Sequence, residues 1–164
     1  MGSARPSGEP RARSRISPAP PPAAAIELPA TPPLHVTRLA TRWGDQDALG
    51  HVNNATYLTY LESARIEWLE AVYPDGWPDG EGPILATTNV TFRRPIHHPA
   101  EVEVRVWADP PGRSSLRNAY AVHVAGEPEP RAVAEAVLVW VSTETGRPVR
   151  LPDAVRAVLP SPGA

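Results

Sequence analysis

The chain is 164 residues long, with 16 basic and 18 acidic side chains and a formal net charge of −2. That length suits a single domain, and the mixed charges exclude the broad basic field that nucleic acids or anionic membranes require. The absence of cysteine excludes disulfides, thiol nucleophiles and cysteine-based metal sites, and no apolar run approaches the ~18 residues of a membrane span, so the expectation is a cytoplasmic enzyme or binding domain.

Residues 1–33 are rich in Pro, Ala, Ser and Arg. Pro20, Pro21, Pro22, Pro32 and Pro33 forbid regular helix or a central strand there, and the apolar stretch 23–26 is too short for the core of a secretory signal. The reading is a disordered tail, with the folded domain over 34–160. Residues 34–43 alternate and predict a first strand. Residues 44–53 make a polar turn punctuated by Gly44 and Gly50. From Asn54 the period becomes helical, with apolar side chains at Tyr57, Leu61, Ala64, Trp68 and Val72 and a stripe widened by Leu58, Tyr60, Leu69 and Ala71. Pro74, Asp75, Gly76 and Pro78 stop that helix. Strands follow at 83–94, 101–108, 114–125 and 131–142, separated by Pro-, Gly- and Asp-bearing turns. Residues 132–136 alone would pass for helix, but the Val, Leu and Trp that follow favour a strand. A short helix is predicted at 153–159. Short turns imply antiparallel neighbours, so the fold class is α+β: one long central helix wrapped by a curled antiparallel sheet of about five strands. The sheet's uncovered face and edges predict association with a second copy.

Chemistry concentrates between Trp43 and Tyr57. Asp45 and Asp47 are separated by one residue and point to opposite sides of an extended chain. One therefore braces the turn while the other faces a cleft. The helix that follows presents unpaired backbone N–H groups at its start. A carboxylate beside such donors can attack a carbonyl carbon or activate a water, while the N–H groups at Asn53, Asn54 and Ala55 hold the developing oxyanion, aided by the helix dipole. Thioesters suit this arrangement. Their carbonyl is reactive and a thiolate leaves without strong acid assistance, so no serine triad is required. Plainer roles exist for the same residues. A turn aspartate commonly caps backbone N–H groups; Asn53 and Asn54 are natural N-caps; Glu62 and Arg65 can pair along the helix. His51, His97 and His98 lack partners at metal-ligand spacing. Arg93, Arg94 and Arg113 are either solvated ends or clamps for the phosphates of a nucleotide carrier.

The run WGDQDALGHVNNATYLTYLESAR closely resembles the signature of the hotdog-fold acyl-CoA thioesterases of the 4-hydroxybenzoyl-CoA thioesterase type. Weaker similarity extends to Arg93-Arg94-Pro95-Ile96, to Arg113-Ser114-Ser115 and to Thr145-Gly146-Arg147-Pro148. The resemblance implies a hotdog fold that works as a homodimer or homotetramer, with an active site completed by the partner subunit. It assigns the catalytic carboxylate to Asp47 and the carbonyl-polarising N–H to Asn54. It places His51, Asn53 and Tyr57 at the acyl pocket and Arg113, Ser114 and Ser115 at the nucleotide of coenzyme A, which is part of the substrate rather than a cofactor. It implies no metal. Two stretches depart from the family pattern: the Pro-Asp-Gly-Trp-Pro segment after the helix, and His97-His98-Pro99-Ala100 in place of a Gly-Asp turn. The expected activity is hydrolysis of an acyl-CoA to a free carboxylic acid and CoA. The alternatives are an enoyl-CoA hydratase on the same fold and a non-catalytic acyl-CoA-binding module.

Overall fold

The computed structural model describes residues 25–161. Strand β1 (His35–Ala40) leads through a 3-10 turn (Trp43–Asp45) to helix α1 (Asn54–Val72), then to strands β2 (Glu81–Phe92), β3 (Glu101–Ala108), β4 (Ser115–Val124) and β5 (Ala132–Ser142), and to a short helix α2 (Asp153–Ala157). The strands form one sheet in the order β1-β3-β4-β5-β2, and every pairing is antiparallel. The predicted α+β hotdog architecture is the observed one. The predicted first strand ends three residues early, because Arg42 and Asp45 close the 3-10 turn on each other.

Helix α1 starts where the side chain of Asn53 accepts from the Ala55 N–H at 2.9 Å. It ends where Tyr73 bonds back to Leu69 and Glu70, just before Pro74. Tyr57, Tyr60, Leu61, Ala64, Trp68 and Leu69 are buried, as their spacing predicts. Leu58 and Ala71 are not; Leu58 is 44% exposed, because it faces β2 across a groove that one chain leaves open. The core has two parts. Around the first half of α1, Tyr57, Tyr60, Leu61 and Ala64 pack on Val102, Val104, Val106, Tyr120 and Val122. Around its second half, Trp68 and Leu69 meet Leu116, Leu138, Trp140 and Leu151, with α2 closing that end through Val155. Burying each such Leu or Trp side chain contributes about 1.5–3 kcal/mol.

β2 pairs only with β5 and is the long free edge of the sheet. Its ladder slips between Leu85 and Thr87, where Ala86 is the extra residue of a bulge. Ile84, Leu85 and Phe92 are each about half exposed. On the outer face of the sheet, Glu103 is buried between Arg38 and Arg105, at 3.1 and 2.8 Å.

The expected tail begins outside the described residues, which exclude 1–24. Its last part, 25–33, carries no helix or strand but lies on the outer sheet face. Ile26 is buried there, and the Trp107 indole N–H donates to the Thr31 carbonyl at 2.8 Å. An apolar side chain and a tryptophan in need of an acceptor hold this segment down.

Candidate active site

Asp45 and Asp47 occupy different environments. Asp45 is 3% exposed. Its carboxylate accepts from the Arg42 backbone N–H at 2.8 Å, the Arg42 Nε at 2.9 Å and the Tyr60 hydroxyl at 2.8 Å. Its carbonyl accepts the Asn53 N–H at 2.8 Å. Burial alone would raise the Asp45 pKa, but the bonds from Arg42 and Tyr60 outweigh it and hold the carboxyl below its ordinary value. The Tyr60 phenol is pushed up, first by burial and then by Asp45. Asp45 is therefore a saturated, charged brace that ties the turn to α1.

Asp47 opens a tight turn. Gly50 N–H donates to the Asp47 carbonyl at 3.0 Å, and Asp47 N–H to the His51 carbonyl at 2.9 Å. Gly50 has φ +78°, a conformation that favours glycine. One Asp47 oxygen accepts the Leu49 N–H at 2.8 Å. The other faces His51, whose Nδ1 is 3.5 Å away, and both side chains are partly exposed. Asp47 thus keeps a free oxygen that Asp45 lacks. The segment after β2 docks on this turn: Val52 N–H donates to the Ile96 carbonyl at 2.8 Å, and the His97 ring contacts the Gly50 carbonyl at 2.9 Å.

The turn delivers the chain to the start of α1. Asn53 caps Ala55 with its side chain and accepts the Thr56 N–H with its carbonyl. Among the described residues the Asn54 N–H has no partner. Asn54 lines a cleft of about 280 Å³, bounded by His51, Asn54 and Tyr57 on one side and by Phe92, Arg93 and Arg94 on the other. Tyr57 and Phe92 pack edge to face, with centroids 5.1 Å apart. A larger cavity, about 350 Å³, lies on the outer sheet face beneath Ile26 and beside Arg117 and Glu135, away from the helix start.

Of the residues proposed from sequence, His51, Asn54 and Tyr57 line the cleft. Asn53 shapes it as the cap, and Asp47 adjoins it through His51 without lining it. Arg113, Ser114 and Ser115 lie elsewhere in the chain. They form the β3–β4 turn, where Leu151 N–H bonds the Arg113 carbonyl and Trp140 N–H the Ser114 carbonyl, beside the second half of α1. Trp68, in the part of α1 that packs beside that turn, is fourteen residues from the helix start, roughly 21 Å along the axis. Arg93 and Arg94 are the cationic side chains at the cleft. Sequence reasoning missed Phe92 and read Tyr60 only as helix stripe. The signal for Tyr60 was its place one helical turn after Thr56 on the buried face; its bond to Asp45 leaves no trace in periodicity. His97 and His98 bond to Gly50 and Thr41, and no group of three or more potential ligands is arranged for a metal among the described residues.

Residues 41–159 match the family described as the thioesterase-like superfamily. The solved structure of the PA2801 protein from Pseudomonas aeruginosa, described as a putative thioesterase, is 37% identical and covers 76% of this chain and 97% of its own, with a TM-score of 0.72. A thioesterase from Thermus thermophilus, solved with coenzyme A and zinc, is also 37% identical, covering 77% of this chain and 92% of its own, with a TM-score of 0.63. A chloroplast acyl-acyl carrier protein thioesterase of Arabidopsis thaliana, ATL3, is 25% identical over 75% of this chain and 66% of its own length. The match spans the acid turn, all of α1 and every strand but β1, and this chain belongs to the thioesterase-like superfamily, with the hotdog fold of its members.

Proposed function

We propose that this protein hydrolyses an acyl thioester of coenzyme A or of an acyl carrier protein at the start of α1. One observation carries this: Asn54, whose N–H is unpaired, lines a cleft whose wall, His51, adjoins the free oxygen of Asp47. The thioester carbonyl oxygen accepts from Asn54 N–H, where the helix dipole favours the charge that develops. His51, rather than Asp47, lines the cleft, which favours the general-base route. A water loses its proton toward the His51–Asp47 pair as its oxygen bonds the carbonyl carbon. The tetrahedral oxyanion then collapses, the C–S bond breaks, and the thiolate and the free acid leave.

Arg93 and Arg94 are the groups placed to meet an anionic carrier within one chain. Arg113, Ser114 and Ser115 can serve only a cleft belonging to a second copy. The half-exposed Ile84, Leu85 and Phe92 on a free 12-residue edge strand support such a copy pairing along β2.

Thiol release from a panel of acyl-CoAs tests the activity, with Asp47→Asn as the control. The variant should lose about 10²–10⁴-fold in kcat while keeping its melting temperature. Full turnover in the variant would overturn the role of Asp47, and no release from wild type with any CoA or carrier-protein ester would overturn the activity. Single turnover in ¹⁸O water tests the general-base route: label found in Asp47 would reveal an anhydride opened at the aspartyl carbonyl and overturn that route.

A further inference from the structure

The surface beside α1 is hollowed again beyond the candidate site. Phe92 meets Tyr57 near the helix start, while Leu85 and Thr88, earlier on β2, border a second cleft of about 150 Å³ with Leu61 and Arg65. The strand therefore runs antiparallel to the helix, and the two clefts follow one another along α1, the first at Asn54 and the second at Arg65. Leu58, Leu61 and Leu85 form the apolar part of the second, beside Thr59, Glu62 and Thr88.

Arg65 is only 8% exposed. The nearest carboxylate, Glu62, is 3.9 Å away, too far for a hydrogen bond, on a side chain that is 65% exposed. The buried Tyr120 hydroxyl lies beside the guanidinium, close enough to interact with it but without a well-formed hydrogen bond. Among the described residues Arg65 makes no well-formed hydrogen bond; its polar neighbours are Glu62, in a loose ion pair, and the Tyr120 hydroxyl. A guanidinium carries five donors and stays charged at any physiological pH. With one loose ion pair to an exposed glutamate, a guanidinium this nearly buried has donors to spare for a further anion.

Building on the thioesterase reading above, we propose that Arg65 receives a carboxylate at the far end of the acyl group, so that the protein prefers acyl chains ending in a carboxylate over chains ending in a methyl group. Asn54 and Arg65 are eleven residues apart, about 16 Å along the helix. The arginine side chain leans toward the helix start and shortens that span. A chain of roughly ten carbons, at about 1.2 Å per bond, bridges it. Leu58, Leu61 and Leu85 would line its methylenes, and the planar fork of Arg65 suits a bidentate carboxylate.

The test measures binding by calorimetry of two S-alkyl-CoA thioethers that cannot be hydrolysed, alike in length at about ten carbons, one ending in a carboxylate and one in a methyl. Wild type should prefer the carboxylate about 10- to 100-fold. Arg65→Gln should lose that preference while still binding the methyl-ended compound, which reports an intact site; Arg65→Lys should keep part of it. Equal binding of both compounds by wild type, or an equal loss for both in Arg65→Gln, would overturn the proposal and leave the thioesterase reading standing. Failure of both to bind wild type would overturn both. A preference that appears only in Glu62→Gln would mean that a glutamate of a second copy already occupies the arginine, and would overturn it too.

Discussion

Replacing Asp45 by alanine removes the acceptor of three hydrogen bonds, two from Arg42 and one from the buried Tyr60 hydroxyl. Arg42 is mostly exposed and its side chain returns to water, so its loss adds little. Tyr60 is 3% exposed and its hydroxyl has nowhere to turn. An orphaned buried donor costs about 1–3 kcal/mol, and the lost charge-assisted bond about as much again. The expected destabilisation is about 3 kcal/mol, or roughly 8–12 °C in melting temperature for a domain of this size. Tyr60→Phe removes the hydroxyl without orphaning it and should cost only about 1 kcal/mol. The double variant should be no less stable than Asp45→Ala, because no unpaired hydroxyl remains. Thermal unfolding of the four proteins by circular dichroism measures this cycle. Strict additivity, or an Asp45→Ala shift below ~2 °C, would refute the account of Asp45 as the brace.

Asn53→Ala should cost about 1 kcal/mol through loss of the helix cap; it should also lower kcat with little change in KM, by loosening the Asn54 donor, as steady-state kinetics would read. Stability should fall with acid in two stages. Burial, with Arg105 beside it, holds the His123 pKa below its ordinary value, so its contribution is lost as pH drops below about 6.5. The bonds to Asp45 exceed its burial penalty, and those from Arg105 and Arg38 hold Glu103 low, so these contributions are complete above about pH 4 and are lost as pH falls through their depressed values. Melting temperature against pH measures both stages, and His123→Gln should flatten the first. Ile84→Lys on the free edge should shift the protein toward monomer in sedimentation and reduce thiol release, while leaving the fold intact.

Much of this architecture is legible in the amino-acid order. Residues 101–108 alternate cleanly and β3 occupies those positions without a residue's error, because both ends carry turn formers. The start of α1 follows from Asn53 and the helical spacing after it. The paired acids also differ, one saturated and one with an oxygen to spare, but the 3-10 turn at Trp43–Asp45 separates them rather than strand alternation, and Asp47 adjoins the cleft without lining it. What escaped depends on contacts between distant segments. Leu58 fits the apolar stripe, yet its exposure is decided by how far β2 stands from α1. Residues 25–33 look like tail, but Ile26 and Thr31 find partners on Trp107 and the outer sheet. The distance of Arg113 from Asp47 within one chain depends on which end of α1 the β3–β4 turn reaches, and local pattern carries no such information.

The double anchoring of Asp45 has a thermodynamic consequence. Its side chain holds Tyr60 in the second turn of α1, and its carbonyl holds Asn53 just before the first, so turn and helix start move as one body. The Asn54 N–H is then fixed before any ligand arrives. Ordering a loose residue on binding would cost about 1–2 kcal/mol of backbone entropy; here that ordering is completed during folding, and the proposed contact with an oxyanion would be spared it. Loosening the brace would therefore show up most in transition-state affinity and least in affinity for the resting ester.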